Sequence, residues 1–262
     1  MIHTTIENRL VRLFKEKKQN ILNIYFTAGF PELDDTIRIL KALEKSGADM
    51  VEIGMPFSDP LADGPTIQAS SMKALKNGMS LKVLFNQLRH VREQVTIPIL
   101  LMGYLNPVMQ YGMEEFCKNA HACGVDGVIL PDLPLNEYKE KYQTLFHQYH
   151  LSNVFLVTPQ TSPERLKLID ELTEGFIYIV STDSTTGGNK NIQSAEEYLH
   201  RIKNANLRNP TLVGFNIKDK SSYDFACRYA NGAIIGTAFI NMLSNSTDLE
   251  KDIECFIRSI RG

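Results

Sequence analysis

The sequence predicts an α/β fold, a single (β/α)8 TIM barrel with an extra N-terminal helix. Three observations carry the prediction. Short apolar runs rich in β-branched residues recur eight times, amphipathic segments of helical period separate them, and the chain has 262 residues. Strong apolar strands alternating with helices pair in parallel through right-handed crossovers. Eight such units in a chain of about 250 residues close into a barrel.

In chain order, MIHTTIENRLVRLFKEKK comes first, a charged amphipathic helix pattern without a signal-peptide core. It precedes the first strand and is expected to plug the barrel's bottom. ILNIYFTAG (21–29) is the first strand and DDTIRILKALEKSG (34–47) its helix. The turn between them, FTAGFPELDD, lacks GxGxxG, which disfavours an open doubly wound sheet. ADMVEIGM (48–55) is the second strand, followed by a helix starting near Pro65–Thr66 and another over 80–94. IPILLMGY (97–104), VDGVILPD (125–132) and SNVFLVTP (152–159) are strands three to five, with a helix over 162–174. GFIYIVST (175–182), a helix over 194–205, PTLVGFNI (210–217) and GAIIGTAF (232–239) complete the set. No linker, low-complexity tract or charge block interrupts the pattern, so residues 1–262 are expected to form one domain.

Composition removes several classes of function. A net charge of −2 and a pI near 6.3 argue against nucleic acid or an anionic membrane as the main partner. The longest apolar stretch, Ile97 to Leu105, is too short to span a bilayer. Cys117, Cys123, Cys227 and Cys255 form no CxxC pair and fall in helical patterns. They read as reduced core thiols of a cytoplasmic protein. His147 and His150 lie one turn apart on a helix pattern and read as a solvated face rather than metal ligands.

Function in a barrel belongs at the C-terminal strand ends. Two connections there are long, 55–66 after strand two and 182–193 after strand six. Within MVEIGMPFSDPLADGPTIQ, alternation puts Glu52 on one face with Met50 and Gly54, pointing into the barrel. It is either a structural carboxylate satisfied by a neighbour or a general acid/base whose pKa burial raises. Asp63 lies in the loop over the same mouth, as a functional acid or as the cap of the next helix. Asp59, before a proline, suits a turn. Gly214, Gly236 and Thr237, where strands seven and eight meet their loops, are candidates for a phosphate site, with Gly187–Gly188 closing over it. Each glycine alone is equally explained by a tight turn. Tyr25, Tyr104, Ile129 and Phe215 could line a flat apolar ligand or simply fill the barrel. No lysine lies in the strand-six run and no histidine at a strand end, which disfavours Schiff-base and His-metal chemistry. What remains is acid–base chemistry by two carboxylates on a small phosphorylated substrate.

VEIGMPFSDPLADGPTIQ, with YFTAGFP upstream and GVILPDLP downstream, closely resembles the tryptophan synthase alpha-chain family, in matching order over about residues 5 to 258. The resemblance implies a lyase that cleaves indole-3-glycerol phosphate to indole and glyceraldehyde 3-phosphate. It further implies pairing with a beta chain in a cytoplasmic α2β2 tetramer, indole passing to that chain through an internal channel. No cofactor is expected in this chain, pyridoxal phosphate belonging to the partner. By resemblance, Glu52 and Asp63 are the catalytic pair, Thr186 orients the aspartate and Tyr178 stands beside the glutamate. Phe215, Tyr104 and Tyr25 match indole-pocket positions, and Gly187, Gly214, Gly236 and Thr237 the phosphate amides. Asp59 and Asp132–Leu133–Pro134 match surfaces that meet the beta chain. The chain departs from the family pattern where an arginine becomes Thr182, a glycine becomes Ser184 and GFGI becomes Gly214-Phe215-Asn216-Ile217. Asn tolerates positive φ, so the backbone at 216 can keep its course. A stand-alone lyase and a non-catalytic regulatory subunit are the alternatives.

Overall fold

The computed structural model describes residues 7–180, 190–214 and 216–262. Strands β1 (Ile21–Thr27), β2 (Met50–Gly54), β3 (Ile99–Met102) and β4 (Gly127–Ile129) follow in order. β5 comes in two pieces, Ser152–Asn153 and Leu156–Val157, and β6 (Ile177–Val180), β7 (Thr211–Gly214) and β8 (Gly232–Ile235) follow. Every pairing is parallel, and β1 sits between β2 and β8. The ring closes through β5. Its first piece pairs with β4 and its second with β6. Across the break, the Val154 N–H donates to the Val128 carbonyl (3.1 Å) and the Tyr178 N–H to that of Phe155 (3.0 Å). The expected barrel of eight parallel strands is therefore present.

Alternation along each strand sorts the core into two layers. Leu22, Ile24 and Phe26 on β1 and Val51 and Ile53 on β2 face the helices, as do Ile177, Ile179 and Val213. Met50, Leu100, Ile129, Val154, Tyr178, Leu212 and Ile234 face inward and fill the barrel. Each such apolar side chain contributes roughly 1.5–3 kcal/mol by leaving water.

The N-terminal helix, Arg9–Glu16, does close the bottom. Asn8 caps it, accepting from the Val11 N–H (3.0 Å) and donating to the carbonyl of Asp126 (2.7 Å). Leu10 and Phe14 are buried, with the Phe14 ring 5.8 Å from that of Phe176. Gly175, at φ +98°, has no room for a side chain because a Cβ would come within 2.5 Å of Leu10. Asp126, 1% exposed, ties the floor together by accepting from the backbone N–H groups of Arg9 (3.1 Å) and Ile99 (3.0 Å) and from the Arg92 guanidinium (2.6 Å).

Helix 34–47 is observed as Asp35–Ser46 and stops at Gly47, left-handed at φ +98°. The segment 80–94 differs from expectation. It is Leu81–Leu88 followed by a single 3-10 turn, Val91–Glu93. That turn aims Arg92 at the Gly124, Val95 and Ile97 carbonyls, an attraction that outweighs helical continuity. The expectation of four core thiols is also corrected. Cys117 and Cys123 are buried, but Cys227 is half-buried and Cys255 exposed. Among the described residues no helix is long and apolar enough to cross a membrane, and no cluster of three or more His, Cys, Asp or Glu could hold a metal ion.

Candidate active site

All five residues of β2 are buried, and Glu52 at its centre is 0% exposed. It pairs with Tyr25 on one side and Leu100 on the other, so its side chain enters the barrel between those two inward neighbours' strands. What makes the burial tolerable is Asn23 of β1, whose Nδ2 donates to Oε1 of Glu52 at 2.6 Å. Burial pushes the Glu52 carboxyl up to about 8, with the Asn23 hydrogen bond pulling the other way. Its Oε2 meets no hydrogen-bond partner among the described residues. At neutral pH this group holds its proton.

Beyond Gly54 the chain turns over the mouth. The Leu61 N–H donates to the Asp59 carbonyl (2.9 Å) and the Asp63 N–H to that of Pro60 (3.1 Å). The following helix, Pro65–Lys76, has Gly64 as its N-cap with no side-chain cap bond. Capping therefore does not account for Asp63. Its Oδ2 instead accepts from the Tyr104 hydroxyl (3.2 Å), which itself accepts from the Ala62 N–H (3.0 Å). Burial moves the Asp63 carboxyl above its ordinary value, against the pull of Tyr104. One hydrogen bond to the carboxylate does not offset its partial desolvation. Tyr104 in turn is raised to about 12, by burial first and then by the Asp63 charge.

Beside Asp63 and Tyr104 lies a cavity of about 60 Å³, walled by Tyr25, Met55, Phe57, Pro60, Asp63 and Tyr104 among others; Glu52 and Tyr178 are not in its wall, but Tyr25, the ladder partner of Glu52, is. The Phe57 and Tyr104 rings are 5.3 Å apart. Tyr25, half-buried, and Tyr178, buried, are phenols whose titration is raised by desolvation and further by the charges of Glu52 and Asp63. Both acids thus act on the same two rings, Glu52 from within the barrel and Asp63 from the loop over its mouth.

The remaining sequence candidates divide. Ile129 is fully buried in the barrel-filling layer and is not part of the cavity wall. Gly214 and Gly236 leave room for tyrosines. A Cβ would stand 2.2 Å from the Tyr178 hydroxyl at Gly214 and 3.3 Å from the Tyr25 ring at Gly236. Gly236 is also the N-cap of helix Thr237–Ser244, so Thr237 opens a helix whose free N–H groups face the strand end. Asn216 is at φ +59°, the left-handed course expected of it. Thr186, Gly187 and Phe215 lie outside the described residues, as do the substitutions at Thr182 and Ser184. On the rim, Asp59 is exposed in its turn and Asp132 accepts from the Leu105 N–H (2.9 Å). Pro134 is exposed, but Leu133 is buried. The residue that sequence reasoning missed is Asn23. Its signal was present, since alternation from Ile21 and Tyr25 places this amide inward beside Glu52.

A family model described as tryptophan synthase alpha chain matches residues 11–260. The chain belongs to the tryptophan synthase alpha-chain family. Curated alpha chains from Flavobacterium johnsoniae and Bacteroides thetaiotaomicron are 54% and 49% identical to it, covering 91% and 94% of this chain and 94% and 96% of their own. Among solved structures, the alpha subunit from Legionella pneumophila has a TM-score of 0.86 at 33% identity, with 97% of each chain covered. The tryptophan synthase complex from Pyrococcus furiosus gives 0.85 at 34% identity, covering 94% of this chain and 99% of that one. The family's alpha reaction is the cleavage of indole-3-glycerol phosphate, a lyase step in tryptophan biosynthesis.

Proposed function

We propose that in this chain Glu52 is the general acid–base of indole-3-glycerol phosphate cleavage and Asp63 the group that steadies the indole nitrogen. The observation that carries the reading is a carboxyl buried in the barrel, protonated at neutral pH and carrying an oxygen without a protein partner among the described residues. Breaking the bond between indole C3 and the glycerol chain needs an electron sink. Transfer of the Glu52 proton to C3 creates one, an indoleninium cation. The Glu52 carboxylate then takes the proton of the adjacent glycerol hydroxyl. The carbon–carbon bond breaks, its electron pair returns to the ring, and indole and glyceraldehyde 3-phosphate are released. Glu52 ends as it began. Asp63 accepts the indole N–H and offsets the positive ring, with Tyr104 holding its carboxylate. General acid–base help of this kind contributes roughly 10²–10⁴-fold.

Tyr25, Tyr104, Tyr178 and Phe215 are assigned to the indole side, while Ile129 fills the barrel. Gly187, Gly214, Gly236 and Thr237 are assigned to the phosphate, supported by the helix N-terminus at Gly236, and Thr186 to orienting Asp63. The chain works as the alpha subunit of an α2β2 tetramer in the cytoplasm, one domain with no cofactor of its own, and pyridoxal phosphate sits in the beta chain. Leu61, 92% exposed, and Met109, 51% exposed, are apolar surface near Asp59 and Asp132 that suits such a partner. The test is indole release with beta chain added back. Glu52→Gln should lose nearly all cleavage while still binding glycerol phosphate. Cleavage within about tenfold of wild type would refute the role of Glu52.

A further inference from the structure

We propose that Asn23 is a positioning residue for this reaction, holding Oε1 of Glu52 as an acceptor so that Oε2 carries the proton to the substrate. The inference rests on the reading of Glu52 given above and adds which oxygen reacts and what fixes it.

Asn is a poor strand former, and an amide in mid-strand with 0% exposure is costly unless it is used. Asn23 lies on the inward face of β1, one inward position below Tyr25, the residue paired with Glu52. Its Nδ2 reaches Oε1 at 2.6 Å. An amide nitrogen can only donate. The oxygen it faces must therefore present a lone pair in both states of the carboxyl, and the acid proton is left to Oε2. The opposite amide orientation would set Oδ1 against Glu52. That arrangement suits the acid but repels the carboxylate that must exist between the two proton transfers. The observed orientation serves both halves of the cycle.

The consequence is a direction. An N–H donor favours the ionised form, so Asn23 restrains the rise that burial imposes on Glu52. Without that restraint the carboxyl would hold its proton too tightly, and with it the acid can give the proton up and take another back. The other titratable groups that interact with this region are the phenols of Tyr25 on β1 and Tyr178 on β6 and the carboxyl of Asp63 in the loop. Both phenols are raised further from neutrality, and Leu100 on β3 is apolar, so the alkaline limb of a pH profile belongs to Glu52.

The experiment measures kcat and KM for indole-3-glycerol phosphate cleavage against pH in the chain assayed with its beta chain. Wild type, Asn23→Leu and Asn23→Asp are compared. Asn23→Leu should move the alkaline limb up by about one unit or more, the scale of a hydrogen bond to a charged group. It should lower kcat at neutral pH at least tenfold and change KM far less. Asn23→Asp keeps the shape, so it guards against a folding defect. A second acid 2.6 Å away should raise the limb at least as far. Infrared difference spectra without substrate provide the direct check, since the carboxylic acid band that disappears in Glu52→Gln should persist to higher pH in Asn23→Leu. A limb and band that stay in place, or move to lower pH as the reversed amide would require, overturn the proposal. If Glu52→Gln is inactive while the Asn23 variants leave the limb in place, only the role of Asn23 fails. If Glu52→Gln still cleaves, the reading of Glu52 itself fails.

Discussion

Glu52→Gln should make the protein more stable as pH rises, by an amount that follows from the burial of one carboxyl. The unfolded chain releases this proton near 4.5 and the folded chain near 8. The folded state therefore holds a proton that the unfolded state has lost. The associated stability is complete below 4.5, declines as pH climbs toward 8 and levels off above it. At about 1.36 kcal/mol per unit, the decline between pH 5 and pH 8 is about 3–4 kcal/mol. Glutamine does not titrate and has the same shape. Its amide leaves a buried N–H pair poorly satisfied, at about 1–3 kcal/mol, but that cost is the same at every pH. Glu174, raised to about 7 by burial, adds a slope of its own in both proteins and cancels in the comparison. Urea unfolding of both proteins, followed by far-UV circular dichroism at several pH values, gives the stability difference. It should grow by about 3–4 kcal/mol from pH 5 to pH 8 in favour of the variant. A difference that stays flat within about 1 kcal/mol would mean that Glu52 titrates normally, and the acid-donor argument would go with it.

Asp63→Asn should abolish most turnover with the far-UV spectrum unchanged, because the side chain caps no helix and its removal costs only the Tyr104 contact. Asp126→Ala should destabilise the chain by about 3–5 kcal/mol in urea, since it takes the ion-pair partner from Arg92 and the acceptor from the Arg9 and Ile99 N–H groups in the barrel floor. Gly54→Ala should lower kcat/KM at least tenfold without unfolding the protein. The new methyl would sit 2.1 Å from the Tyr25 hydroxyl and push that ring into the cavity. Retention of full activity would show that Tyr25 does not shape the site.

Most of the architecture was legible because strand and helix periods differ, and the alternation MVEIG alone placed Glu52 inward. Asp63 was legible as an acid in the right loop, but its titration was not. That depends on how many donors surround it, and a loop's hydrogen bonds are not written in residue spacing. SNVFLVTP reads as one strand, whereas the ladder breaks between Asn153 and Leu156 as the pairing passes from β4 to β6. Local pattern carries no information on which neighbour a strand has at each end. The split of 80–94 was hidden for a similar reason. The carbonyls that draw Arg92 include that of Gly124, far along the chain. Asn23 was hidden in plain sight by the apolar residues around it. Read as a partner for Glu52 across neighbouring strands, it would have been found.

The aromatic stopper formed by Phe14 and Phe176 has a kinetic corollary. A vessel corked at its base has one doorway, so whatever enters to be split must leave, as two fragments, past the same Asp63 threshold. Departure of the fragments then competes with arrival of the next molecule, and a beta chain docked at that rim, as proposed above, would stand where it can regulate the traffic in both directions.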